Sequence, residues 1–164
     1  MLNLRKLPFS NFSYGATAAI ITSMALIIGL GRSSNPKLSI ISALLVVALA
    51  DNIADSLSIH IYQESIRSDK RLIRSSTINN FFTRLLIVIG FILLVFFLPI
   101  NMAIILSIVL GLVLLMVMSY IIARKQGVNP YSAIFYHLII AIIVIIASHF
   151  LGEWINHFFK AHSI

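Results

Sequence analysis

Long apolar segments constrain the fold of this chain more than any other feature of its sequence. Five stretches have the length of about 17 to 25 residues that a helix needs to cross a bilayer. They cover residues 14–30, 38–62, 82–98, 102–123 and 131–151. Hydrophobic residues make up 60% of the chain and charged residues only 10%, whereas soluble domains are nearer half apolar and a quarter charged. The sequence therefore predicts a single-domain, all-α integral membrane protein with five transmembrane helices.

Proline and asparagine residues mark the ends of these segments. The pairs Asn35-Pro36 and Asn129-Pro130 each precede an apolar run, and an Asn cap followed by Pro at the first helical position is typical of a helix start. Pro99 interrupts the long apolar stretch between the third and fourth segments, which predicts a short hairpin of two helices. Residues 65–80 are polar and basic, and we expect them to form a short solvated loop on the cytoplasmic side.

The basic residues predict how the chain is oriented in the membrane. Cytoplasmic segments carry more Lys and Arg than external ones. With the N-terminus inside, the inner segments hold Arg5, Lys6, Arg67, Lys70, Arg71, Arg74, Arg84, Arg124 and Lys125, and the outer ones hold Arg32, Lys37 and Lys160. We therefore expect a cytoplasmic N-terminus and an external C-terminus. Because no targeting sequence is found beyond the first span, we expect a bacterial plasma membrane. The net charge of +7 is expected to meet anionic lipid rather than nucleic acid.

The second segment carries an unusual concentration of acids. The stretch VVALADNIADSLSIHIYQES holds three of the five carboxylates in the chain: Asp51, Asp55 and Glu64. In an α-helix Asp51 and Asp55 would lie one turn and about 40° apart. Ser58 and Tyr62 would continue that polar strip, and a second strip of Asn52, Ser56, His60 and Glu64 would lie roughly opposite. A helix that is polar on two sides cannot face lipid, so other helices or water must line it.

Acids inside a membrane span usually mark an ion path or a proton relay. Asp51 lies in mid-span, and no Lys or Arg is expected within the hydrocarbon region to pair with it. A hard divalent cation or a proton would neutralise the two aspartates. The candidate metal ligands are Asp51, Asp55, Ser58, His60 and Glu64; the candidate path-lining residues are Tyr14, Thr17, Asn52 and Tyr62. A structural alternative places His60 and Glu64 at the cytoplasmic interface and makes the serines packing residues.

Two motifs resemble the vacuolar iron transporter family. The second helix of that family reads A-E-x-A-A-G-A-x-S-M-G, and ADNIADSLSIH is similar to it, with Asp51 at the Glu position, Ser58 at the Ser and Ile59 at the Met. The entry to the family's fifth span contains R-x-x-G-x-x-P followed later by Gly. In this chain the corresponding order is found in Arg124, Gly127, Pro130 and Gly152.

The resemblance implies a homodimeric, proton-coupled exporter of Fe²⁺ and related divalent ions such as Mn²⁺ from the cytosol. The ion path would run along the dimer interface between the first two helices of each subunit, with the metal as substrate and no cofactor. The chain departs from the family at two positions, since Tyr14 takes the place of an Asp on the first helix and Ile59 that of a Met ligand. It also lacks the cytoplasmic metal-gathering domain of plant members.

Other functions fit the same sequence. The path could carry a different solute coupled to protons, or the acids could be protonated and hydrogen-bonded in a membrane scaffold that transports nothing. We expect no enzyme, because H-E-x-x-H, G-x-S-x-G and glycine-rich phosphate loops do not occur. The absence of cysteine excludes disulfides and thiolate metal sites.

Overall fold

The computed structural model of the chain describes the backbone of residues 8–66 and 68–162. It describes the side chains of residues 15–66 and 68–159. Its elements are α1 (Pro8–Leu30), α2 (Pro36–Val46), a π-helical turn (Val47–Asp51), α3 (Asn52–Ser65), α4 (Lys70–Phe97), α5 (Ile100–Gln126) and α6 (Pro130–His162). The second helix, the π turn and α3 form one continuous rod. No strand occurs in the described residues.

Four helical segments are long and apolar enough to cross a membrane: Pro36–Ser65, Lys70–Phe97, Ile100–Gln126 and Pro130–Phe159. The apolar part of α1, Gly15–Leu30, is shorter. The protein is thus a helical membrane protein. That five helices span the bilayer, and that the N-terminus is cytoplasmic, stay predictions.

The helix boundaries predicted from Asn and Pro are confirmed. α2 and α6 begin at Pro36 and Pro130. The backbone N–H of Tyr131 donates to Oδ1 of Asn129 at 3.0 Å, so this Asn caps α6. Asn35 makes no such side-chain bond, and Pro at the first helical position marks the start of α2. The helices α4 and α5 are separated by Leu98 and Pro99, as the hairpin prediction requires.

The predicted loop over residues 65–80 is wrong for most of its length, because α4 begins at Lys70. Asp69 caps the helix by accepting a hydrogen bond from the backbone N–H of Arg71. Polar side chains of this part, among them Ser76 and Asn80, are buried rather than solvated. Low hydropathy indicated a loop, but here it reflects a polar helix face that packs against another helix.

α1 lies at the centre of the bundle and packs against α2, α4, α5 and α6. The side chains that it buries are small or aliphatic, and they form most of the apolar core together with residues of α2 and α4: Ala19, Ile20, Met24, Ile27, Ile40, Leu44, Val88, Phe91 and Val95. α3 packs against α4 at the periphery and α6 covers α1 and α5. The acid-bearing helix is thus held chiefly by α4.

α1 and α6 approach each other closely through two glycines. A Cβ atom built on Gly152 would overlap the backbone carbonyl of Gly29. Beyond this contact Arg32 and Glu153 form an exposed ion pair at 3.1 Å. Small residues that let helix backbones approach are a general means of helix association in membranes.

We predict that Gly152→Ala destabilises the protein, because the added methyl group meets backbone that cannot turn aside. Overpacking of this kind costs about 1–3 kcal/mol of unfolding free energy. Gly90→Ala in α4 is the matched control, since its Cβ would meet nothing within 4 Å. Thermal unfolding in detergent should show a lower transition temperature than the wild type for Gly152→Ala and an unchanged transition temperature for Gly90→Ala. Equal transitions in the two variants would contradict the close approach of α1 and α6.

Candidate functional site

An arginine of α4 pairs with both aspartates of the acid-bearing helix. Nη1 of Arg84 donates to Oδ2 of Asp55 at 3.1 Å, and Nη2 donates to Oδ2 of Asp51. The arginine side chain is 3% exposed, that of Asp55 is 20% exposed and that of Asp51 is 50% exposed. The guanidinium is therefore buried between two carboxylates that differ in their access from outside the chain. We call these three residues the acid–arginine cluster.

This pairing corrects the expectation that no cation lies near Asp51 within the membrane. The distribution of basic residues predicts Arg84 at the inner flank of the third apolar segment, but it lies in the middle of α4, thirteen residues before Phe97. Asp51 lies fifteen residues after Pro36. At the helical rise, both residues are about 20 Å from these helix ends, whereas the hydrocarbon core is about 30 Å thick. The cluster therefore lies within membrane depth if those ends meet the bilayer surface.

Amide side chains extend the cluster along the contact between α3 and α4. Nδ2 of Asn80 donates to Oδ2 of Asp55 at 3.0 Å and to Oγ of Ser56 at 3.3 Å. Nδ2 of Asn52 donates to the carbonyl oxygen of Phe81 at 3.0 Å. All three of the polar residues Asn52, Ser56 and Asn80 are buried. The first part of that strip, Asn52 and Ser56, thus lies in the contact between α3 and α4.

α1 closes the cluster from a third side. A Cβ atom on Gly15 would overlap the side-chain amide of Asn80 and would lie 3.2 Å from Cγ of Arg84. Several buried polar atoms here have no hydrogen-bond partner, namely Oδ1 of Asn52, Oδ1 of Asn80 and Nε of Arg84. The interface therefore contains one buried donor and two buried acceptors that could form further hydrogen bonds.

The helix that carries the acids is locally widened before the cluster. The π-helical turn runs from Val47 to Asp51, so its wider winding ends at the first aspartate. π turns are rare and are found frequently at functional sites. The extra residue of such a turn also changes which direction the following side chains face. This local irregularity supports a functional role for the segment.

Of the predicted ligands, Asp51 and Asp55 meet at Arg84, but Ser58, His60 and Glu64 do not join them. Ser58 donates to the carbonyl of Ala54 at 2.8 Å, and it is exposed, as are Tyr62 and Glu64. His60 lies 3.5 Å from the hydroxyl of Thr77. Residues 15–66 and 68–159 contain no group of three His, Asp or Glu side chains that could hold a metal ion. The reason is that Ser58, Tyr62 and Glu64 are exposed, whereas Asp51 and Asp55 pair with Arg84 of α4.

The predicted path-lining residues are also separated. Asn52 is buried against α4, Thr17 is half-buried in α1 and Tyr62 faces outward. The side chain of Tyr14 lies outside the described residues. The three described residues therefore do not lie together on one surface of the chain.

Sequence reasoning missed Arg84 and Asn80. A signal for them exists, because Thr77, Asn80 and Arg84 recur at helical spacing and would place polar groups on one face of a helix. Thr77 and Asn80 lie in the polar stretch 65–80, whereas Arg84 lies in the apolar segment 82–98. Hydropathy alone therefore assigns the first two residues to a loop and Arg84 to a span.

Comparisons with protein-family models, with curated proteins and with solved structures give no match to this chain. The resemblance to the vacuolar iron transporters therefore stays a prediction from short motifs.

We predict that Asp55→Asn lowers the free energy of unfolding by about 1–3 kcal/mol, the range for a hydrogen bond to a charged group. The substitution removes the carboxylate that both Arg84 and Asn80 contact and leaves the buried guanidinium with one partner. Glu64→Gln on the exposed part of α3 is the control and should leave the free energy of unfolding unchanged. A loss of stability in Glu64→Gln as large as that in Asp55→Asn would contradict the geometry of the cluster.

Proposed function

We propose that this protein transports cations across the membrane, with divalent metal ions such as Fe²⁺ and Mn²⁺ as its substrates. The observation that carries the proposal is the charge of the acid–arginine cluster. Two carboxylates on one guanidinium leave one negative charge in excess, at a depth where an unbalanced charge is costly. A bound cation would remove that excess.

The exposure of Asp51 favours a site that a second copy of the chain completes. Its side chain is 50% exposed, and Ser58 and Tyr62 are exposed on the same helix. Ionised and hydroxyl side chains are poorly suited to contact with lipid. Two copies of the cluster facing each other would carry two excess negative charges, which one divalent ion would balance. A homodimer that shares a metal ion between its clusters therefore agrees with this charge balance.

Arg84 also supports one alternative function. Because it already pairs with both acids, the cluster could act only to hold α3 against α4 in a membrane scaffold. Buried ionic groups of this kind can specify helix pairing without carrying a substrate. The two functions differ in whether the acids bind an external cation.

Metal flux into proteoliposomes containing the full chain, with an imposed pH gradient, tests transport. We expect saturable flux of Fe²⁺ or Mn²⁺ that is lost in Asp51→Asn, because this aspartate is the accessible carboxylate of the cluster. Zn²⁺ is measured as a third ion, since carboxylates do not distinguish strongly among these metals. The family resemblance implies that metal is exchanged for protons. If this exchange occurs, removal of the pH gradient should slow the flux.

Glu64→Gln is the matched control for this experiment, because it removes a carboxylate from the same helix outside the cluster. It should keep the flux of the wild type. No flux of any of the three metals in the folded wild type, together with no stabilisation by metal, would contradict transport and favour the scaffold.

A further inference from the structure

We propose that Arg84 is an internal counter-ion that competes with the transported cation for Asp51 and Asp55. The inference rests on the proposed function and adds a step to it: the guanidinium must leave the aspartates before a cation can bind between them. Arg84 would thereby set how tightly the cation is held and how readily it is released.

The first argument is that the guanidinium occupies the position a bridging cation needs. Its two terminal nitrogens donate to the Oδ2 atoms of two different aspartates, so it lies between the carboxylates. A divalent ion on the same oxygens would sit about 2.0–2.6 Å from each of them. That position falls within the contact distance of Nη1 and Nη2. Cation and guanidinium therefore exclude each other from the aspartate pair.

The second argument is electrostatic. Arginine keeps its charge in proteins, so Arg84 cannot make room for a cation by losing a proton. A divalent ion a few ångströms from the guanidinium would be repelled strongly, because screening is weak where the arginine is only 3% exposed. The side chain must move instead.

The third argument is that the interface offers the displaced guanidinium another acceptor. Oδ1 of Asn80 is buried and has no partner, and Nε of Arg84 is a buried donor without one. Asn80 precedes Arg84 by one helical turn on α4, and the two side chains meet at Gly15 of α1. A small shift of the arginine toward Asn80 would thus exchange its bonds to the aspartates for a bond to the amide oxygen. The two positions make the arginine a switch between an empty and a loaded site.

Binding of Mn²⁺ to the full chain in lipid nanodiscs, measured by calorimetry, tests this inference alongside flux in proteoliposomes. Arg84→Gln removes the competing charge, and we expect its Kd for Mn²⁺ to fall roughly tenfold, a coupling in the usual range between linked sites. Flux should fall as well, because the ion is no longer driven off the aspartates. Arg84→Lys keeps a charge on α4 and should keep a Kd nearer to that of the wild type. The control is Arg74→Gln, an exposed position on the same helix, which should change neither quantity.

A second pair of variants keeps the test decisive if Arg84→Gln does not fold. The double variant Arg84→Gln with Asp55→Asn has one carboxylate and no guanidinium, and so it keeps the net charge of the native cluster. Competition predicts that it binds Mn²⁺ more tightly than Asp55→Asn alone, which has one carboxylate and keeps the guanidinium.

The outcomes separate this inference from the proposed function. If the wild type binds Mn²⁺ through Asp51, but loss of Arg84 leaves the Kd unchanged or raises it, competition is wrong and transport stands. If the wild type shows neither binding nor flux, both proposals are wrong. Tighter binding with slower flux in Arg84→Gln supports both.

Discussion

The ion pairing of Arg84 with Asp51 and Asp55 is the interaction on which the rest of the structure depends. An unpaired charge within a bilayer is costly, so the pairing stabilises the acid-bearing helix and α4 against each other. Asn80 adds a donor to Asp55, and the absence of a side chain at Gly15 lets α1 cover the amide and the arginine. The polar contact therefore fixes the relative positions of three helices.

The same pairing explains why the cluster can be both structural and functional. Its ionic bonds hold α3 against α4, and its excess negative charge is the feature that would attract the proposed cation. In the proposed transport cycle, Arg84 would occupy the site until a substrate arrives. Under the proposed transport, stability of the empty protein and affinity for the substrate would be opposed, since a cation would have to break every contact that Arg84 makes with an aspartate.

How much could be predicted differs between the fold and the site. The start of α6 follows from Asn129 and Pro130, whose local geometry is sufficient to begin a helix. The polar part of α4 could not be placed by hydropathy, because Asn80 is polar and yet fully buried against another helix. Asp51 and Asp55 were identified as a pair by helical spacing, but spacing within one segment contains no information about a partner on another. Arg84 lies 29 positions after Asp55 in the chain, and only packing brings them together.

The sequence by itself determined that this is a helical membrane protein, because long apolar segments have no other stable arrangement than helices in a bilayer, and it determined that acids lie within one of them. The tertiary structure decided which polar side chains of that helix are buried, which are exposed, and which cation faces the acids. The physical reason is that hydrophobicity and helical periodicity are local properties, whereas the neutralisation of Asp51 and Asp55 depends on how α3 is rotated and how far α4 extends beside it.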